Sequence, residues 1–575
     1  MWSTDLTEGV ERKLGEWERE ENIRRLWSGD QSLWTGEDEA DWLGWLEIPS
    51  DTDVEKTLAL IPSRISGDLV EDVVLLGMGG SSIGAEAMVR SVDSDVMNPK
   101  FYVLDSTNPC QIRSVRDRLR LSQTLFIVSS KSGRTFETYS LMKYFLQLVS
   151  SSSGNPDPGS QFLAITDPGS ELEQFSLGQR FAHVFHGLPN VGGRFSALSS
   201  FGLVPAAAAG VDVFQILERA RRMRDRCMAE VPAGENPGAL LGITMAMAVE
   251  IELDKLTLVS TTRFHELGTW IEQMLAESTG KDGTGLVPVG QENLGDPVVY
   301  GNDRLFVYLR NTQPSEFDLD ERISSLRAGG QSVIEINLRD GYDVGSEFFR
   351  WEFATAVAAS ILGVNPFNQP DVEATKRETL RLTEGYTTGG TFPEDNSQCV
   401  DTLGGLSVFV DESNARALEI DSNDSVSIED VLALHLDRIG AGDYFAILAY
   451  VDMKRETQDV LQFLRHAVRD AKLIATSLQF GPRFLHSTGQ SHKGGANNGV
   501  FLEITSDSPR DLMIPGQNYS FGQAGTAQAL GDLAVLNRLE RRVIRVHLAG
   551  DVRVEAERLR GLVEDVLAEG SGKGH

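Results

Sequence analysis

Short apolar runs ending in Gly, Asp, Ser or Thr recur along this chain, separated by stretches with helical spacing. Val73–Leu76, Phe101–Leu104, Leu125–Ser129 and Phe162–Ile165 form the first set. Unbroken apolar runs, rather than an in-out alternation, mark strands covered on both faces, as in a parallel sheet between two helical layers. The rhythm returns after residue 210. A helix over Val211–Glu230 leads into the strongly apolar Ala239–Leu253, and strands are expected at Leu256–Ser260, Leu305–Leu309 and Val333–Ile336. A third region has expected strands near Tyr444–Val451, Gly499–Thr505 and Val543–Leu548, with amphipathic helices at Arg455–Leu473, Thr526–Glu540 and Val554–Leu567. Before all of these, Trp2, Trp17, Trp27, Trp34, Trp42 and Trp45 stand in a polar helical arm whose indoles should pack on the body. The expected fold class is α/β. A 1–48 arm precedes two three-layer α/β/α units with parallel sheets, 49–210 and 211–400, and a C-terminal α+β region spans 401–575. The Pro/Gly/Asp-rich Gly389–Asn396 marks the last junction, and the similar length of the two middle units suggests a diverged duplication.

Composition narrows what such a chain can bind. With 575 residues and 41% hydrophobic positions it can bury several cores. Its formal charge of −31 (53 Lys+Arg against 84 Asp+Glu) disfavours nucleic acid and anionic membrane surfaces, so an anionic ligand must be held by a few local cations. Cys110, Cys227 and Cys399 lie far apart with no paired spacing, which points to a reducing compartment and away from structural zinc. The acidic N-terminus lacks a signal-peptide core and no apolar run reaches spanning length, so a cytoplasmic protein is expected.

The chemistry concentrates in loops. Val73-Val-Leu-Leu-Gly-Met-Gly-Gly-Ser-Ser-Ile-Gly84 runs from a buried strand into a glycine-rich turn and a helix. Such a turn lets backbone N–H groups close on an anion, and the helix start adds roughly half a positive charge. Ser130-Lys131-Ser132 with Thr135, after the next strand but one, offers hydroxyls and an ammonium at another helix start. Neither loop has the spacing of a nucleotide P-loop or a dinucleotide fingerprint, so a phosphosugar fits better. Gly192-Gly193-Arg194-Phe-Ser196 sets a guanidinium beside glycines, able to hold charge developing on oxygen. Gln273 and Glu277 lie one helical turn apart before Ser278-Thr-Gly-Lys-Asp-Gly, where a partly desolvated carboxylate can serve as a base. Asn365-Pro-Phe-Asn-Gln-Pro-Asp-Val-Glu-Ala-Thr-Lys376 opens a helix through Pro370 and projects Gln369 and Lys376 from one side. Taken singly, Arg194, Glu277 and Lys376 could each be an ordinary surface residue; the set carries the argument.

Those five motifs, in this order, resemble the glucose-6-phosphate isomerase family over roughly residues 70 to 380. The arm (Leu33-Trp-Thr-Gly and Trp42-Leu-Gly-Trp45) and the region after 400 resemble the isomerase half of transaldolase–isomerase fusions, although no transaldolase barrel is present. The resemblance implies two sugar-isomerase domains and interconversion of glucose 6-phosphate and fructose 6-phosphate, a step of glycolysis and gluconeogenesis, with no metal or other cofactor. It makes Gly80 and Ser81 part of the sugar loop and Ser130, Lys131, Ser132 and Thr135 the phosphate site. Arg194, with Gly193 beside it, steadies the enediolate. Glu277 is the base between C2 and C1, assisted by Gln273; Gln369 contacts the phosphate side and Lys376 aids ring opening. The family's ring-opening histidine lies between the Glu and Lys motifs, where this chain has none. His486-Ser-Thr-Gly-Gln490 is similar to its surroundings, so His486 is expected to supply it, with His492 as second choice. A broader isomerase also accepting mannose 6-phosphate, and a non-catalytic phosphosugar sensor, are the competing readings. A homodimer and an association with a separate transaldolase are both left open.

Overall fold

The computed structural model describes residues 3–59, 61, 70–92, 99–152, 157–313, 317–390, 392, 397–420 and 426–571. The first sheet is five-stranded and wholly parallel, in the order β2-β1-β3-β4-β5. Its strands are β1 (Asp72–Gly77), β2 (Lys100–Leu104), β3 (Thr124–Ser129), β4 (Phe162–Thr166) and β5 (His183–His186). Its registers pair Leu76 of β1 with Leu104 and Val128, and Gly77 with Ser129, so the glycine and serine loops leave the sheet side by side at its carboxyl edge. Successive β1 residues alternate between two cores. Val73 and Leu75 join the one shared with the arm and the helices of the next region, while Val74 and Leu76 join one capped by Phe145 and Phe521. Double-sided burial explains the unbroken apolar runs.

The second sheet, β7-β6-β8-β9, is also parallel: β6 (Lys255–Ser260), β7 (Val287–Val289), β8 (Arg304–Asn311) and β9 (Ser332–Leu338). The third has six strands in the order β10-β11-β15-β14-β12-β13. Of these, β12 (Tyr444–Tyr450), β13 (Ala475–Phe480), β14 (Gly499–Ser506) and β15 (Arg542–Leu548) are parallel, whereas β10 (Ser397–Leu403) and β11 (Leu406–Asp411) form an antiparallel hairpin at the edge. The four parallel strands thus repeat the α/β pattern, with the antiparallel part confined to one side. Residues 391 and 393–396 of the expected junction lie outside the described residues.

The arm is built into the body. Trp17, Trp34 and Trp45 are buried in the core that runs on to Phe367, and Trp34 Nε1 donates to Ala356 O at 2.8 Å. Trp45 meets Phe195 with ring centroids 5.4 Å apart, and Phe195 meets Phe367 at 5.0 Å. Those phenylalanines neighbour Arg194 and Asn368, so the arm braces two of the candidate loops from behind.

The third region is tied to the second by a fully buried ionic cluster. Glu292, just after β7, faces Arg304, Arg465 and Arg469 at 3.3 to 3.7 Å. Buried charges are retained only when paired in this way. Phe521 and Ala524 pack against the first sheet. Held on both sides, the third region can present a loop to the space between the other two.

Candidate active site

The glycine turn after β1 is constrained from two directions. Gly79 takes φ +55°, and a Cβ there would lie 2.7 Å from His486 O and 2.9 Å from Gln273 Nε2. A Cβ at Gly80 would stand 2.1 Å from Gly193 O. The turn is therefore pressed against the Gly193–Arg194 loop and the His486 loop together, with Ser81 buried beneath it.

After β3 the chain turns through Gly133 (φ +67°) into the helix Phe136–Ser152. Ser130 and Thr135 hydroxyls lie 3.0 Å apart. Ser132 and Thr135 open onto a cavity of about 480 Å³ shared with Lys376, His486, Glu137 and Gln528. Lys131 differs from its expected role as a phosphate cation: its ammonium turns to Asp167 (2.6 Å) and the Leu188 carbonyl (2.9 Å) and so pins the loop to the segments after β4 and β5. The lysine on the cavity wall is Lys376, half-exposed and paired with Glu373 at 2.6 Å.

Arg194 is almost wholly buried, and all five of its N–H groups are spent on the protein. Nε donates to Ser278 Oγ (2.7 Å), Nη1 to Glu277 Oε2 (3.2 Å) and Gln369 Oε1 (2.9 Å), and Nη2 to the carbonyls of Pro366 (2.5 Å) and Asn368 (2.9 Å). Gln369, expected on the phosphate side, thus turns its amide oxygen to the arginine. Glu277 ends the helix His265–Thr279 and is 7% exposed. Burial pushes its carboxyl above the ordinary value, opposed by the charges of Arg194, His486, Lys281 and Lys376. One turn earlier, Gln273 donates Nε2 to His486 O at 2.8 Å and leaves its buried Oε1 without a protein partner. Lys281 is buried, its ammonium on Asn368 O and Oδ1 at 2.6 and 3.0 Å and on Asn365 O. It clamps the Asn-Pro-Phe turn to the end of the Glu277 helix.

His486 sits on a short turn, Arg483–His486, which Arg483 anchors through Glu86 (2.8 Å) and Asp105 (3.0 Å). Its Nε2 lies 3.0 Å from Glu137 Oε1, and Gln528 Nε2 donates to the same oxygen at 2.6 Å. Burial acts to raise the Glu137 carboxyl, but the charge and hydrogen bond of His486 outweigh it and hold the group below its ordinary value. Gln490 of the same motif donates to Gly280 O (3.1 Å) and accepts from Asp371 N (3.1 Å), joining the Glu277 helix to the Lys376 helix. His492 packs among Tyr444, Phe484 and Phe501 with Nδ1 3.0 Å from the Tyr444 hydroxyl. Burial pushes it down to about 3, so it is a neutral core residue.

The structure therefore gathers Gly80, Gly193, Arg194, Gln273, Glu277, Gln369 and His486 through direct contacts, and sets Ser132, Thr135, Lys376 and His486 around one cavity. The bond from Gln273, one turn before Glu277, to His486 O links the two groups. Sequence reasoning missed Glu137 and Gln528. Glu137 could have been suspected from its place one residue past the hydroxyl loop's Thr-Phe; Gln528 carries no local signal. Among the described residues no cluster of three or more His, Cys, Asp or Glu side chains is arranged to hold a metal ion, and no helix is long and apolar enough to cross a membrane.

Parallel α/β sheets thus meet at a buried carboxylate–guanidinium pair beside a hydroxyl-lined helix start. Residues 63–303 match the sequence model of the phosphoglucose isomerase family. It is 27% identical over 394 residues to the glucose-6-phosphate isomerase of Parabacteroides distasonis, covering 60% of this chain and 87% of that protein. It is also 27% identical over 343 residues to a probable glucose-6-phosphate isomerase of Methanococcus maripaludis, covering 53% and 77%. Among solved structures, a hypothetical protein of Thermus thermophilus aligns with a TM-score of 0.58 and 25% identity, over 66% of this chain and 99% of that one. A glucose-6-phosphate isomerase from Chlamydia trachomatis shares the fold, with a TM-score of 0.52, 19% identity, and coverage of 65% and 79%.

Proposed function

We propose that this chain interconverts glucose 6-phosphate and fructose 6-phosphate through a cis-enediol(ate), with every catalytic group drawn from one polypeptide. The observation that carries this reading is Glu277: a desolvated carboxylate, paired with Arg194, within the electrostatic reach of His486 and Lys376. The 6-phosphate rests on Ser132, Thr135 and the start of the Phe136–Ser152 helix, with Ser130 and Lys131 shaping that loop from behind. His486, its Nε2 donating to Glu137, takes the proton of the anomeric hydroxyl as the ring oxygen is protonated beside Lys376, and the chain form results. Glu277 then removes the C2 proton and returns it to C1. A C–H beside a carbonyl is a weak acid, so the base needs a counter-charge for the oxyanion. Arg194 supplies it, and its Nη1 reaches the substrate by exchanging its bond to Gln369. The testing experiment is an isomerase assay of the wild type and Glu277→Gln. The variant keeps the shape and loses the base, so kcat should fall by about 10²–10⁴-fold. Equal rates, or a wild type inert towards both hexose phosphates, would overturn the proposal.

A further inference from the structure

Behind His486 runs a chain of side chains that the reaction scheme leaves unexplained. Thr107 Oγ1 donates to Gln528 Oε1 at 2.8 Å, Gln528 Nε2 donates to Glu137 Oε1 at 2.6 Å, and His486 Nε2 lies 3.0 Å from that oxygen. Thr107, Gln528 and Glu137 are 1%, 3% and 4% exposed, so these bonds are largely shielded from bulk water. The residues come from the loop after β2, the helix Phe521–Arg538 and the helix Phe136–Ser152, which only the third region's docking brings together.

We propose that Gln528, held by Thr107, is a positioning residue that fixes the direction of the Glu137–His486 hydrogen bond and thereby the histidine tautomer that opens the sugar ring. An ionised carboxylate only accepts, so it draws the amide N–H of Gln528 and turns the amide oxygen to Thr107, whose hydroxyl then has to donate. Two N–H donors on one carboxylate oxygen favour its ionised form. With Glu137 accepting, the His486 proton must reside on Nε2, which leaves Nδ1 with its lone pair; among the described residues no side chain or carbonyl hydrogen-bonds Nδ1. Take the amide away and a nearly buried carboxylate loses one of its donors. The cheapest relief is to acquire a proton and donate it to Nε2, which puts the ring proton on Nδ1 and removes the lone pair needed for the anomeric hydroxyl.

This inference rests on the reading of His486 as the ring-opening residue, and its test separates the two. Protein labelled with ¹⁵N only in histidine is examined by long-range ¹H–¹⁵N correlation at pH 8, the His486 signals being identified by their loss in His486→Asn. The wild type should show the Nε2–H pattern. Gln528→Met, similar in volume but without a donor, should move the ring towards Nδ1–H or a mixture and lower kcat about tenfold with KM nearly unchanged. Thr107→Val, which leaves the amide unanchored, should move the pattern the same way by less, and serves if Gln528→Met fails to fold. An unchanged nitrogen pattern in a folded variant, whatever its activity, would overturn the positioning role. Full activity of His486→Ala on cyclic substrate would instead remove the ring-opening assignment, and the nitrogen spectrum would still report on the chain of bonds.

Discussion

Replacing Arg194 by lysine keeps the charge and removes the fork. The guanidinium meets Ser278, Glu277, Gln369 and the carbonyls of Pro366 and Asn368 with five separate N–H groups. An ammonium has three donors radiating from a single shorter point, so one that stays with Glu277 cannot also serve both carbonyls on the far side. One or two buried acceptors orphaned at about 1–3 kcal/mol each give ~1–6 kcal/mol, concentrated in the turn 366–369. That turn carries Gln369 and starts the Lys376 helix, so its displacement should slow isomerisation about a hundredfold. With several cores, a global melting curve would blur so local an effect. The sensitive assay is hydrogen–deuterium exchange of peptides covering 363–376, which should lose protection equivalent to that energy while peptides of β12–β15 keep theirs. Unchanged protection there, together with a rate within twofold of wild type, would refute the argument that the fork organises the site.

The remaining expectations concern stability and stoichiometry. Glu352 is fully buried, and burial alone raises it well above the ordinary range. The folded chain therefore holds a proton that the unfolded chain releases, and this contribution is complete below the unfolded value near pH 4.3 and is lost as pH rises towards the folded one. Glu352→Gln should melt near the wild type at pH 5 and clearly above it at pH 9; a gap that does not widen with pH would mean the carboxyl is not protonated. Since Arg194, Glu277, Lys376, Glu137 and His486 meet within one chain, specific activity should stay constant on dilution from micromolar to nanomolar protein. A fall that tracks dissociation by mass photometry would show that a second copy contributes.

Some of this was legible before any coordinates, and the reason is local. Val73–Leu76 and Leu125–Ser129 announce themselves because both faces are buried. The hairpin β10–β11, β13 with its Ala475-Thr-Ser start, and the three-residue β7 around Pro288 carry too little apolar pattern to be seen. Loops at strand ends revealed hydroxyls, glycines and Glu277 because their spacing along the chain is the spacing in the fold. The side-chain partners were not legible: His486 meets Glu137 across 349 positions, Gln528 meets Glu137 across 391, and Lys131 is turned by Asp167, a surface-typical residue 36 positions away. His486 follows Lys376 in the chain, yet Gln490 and Arg483 return it to the glycine turn and the Glu277 helix.

The most direct test follows the proton itself. Wild type and Glu277→Gln are incubated with glucose 6-phosphate in D₂O, and the C2 and C1 positions are read by proton NMR. Solvent deuterium should enter the carbons between which Glu277 shuttles the proton, at a rate commensurate with isomerisation, and should not enter at all with the variant. Deuterium incorporation by Glu277→Gln at the wild-type rate would contradict the claim that this buried carboxylate is the base.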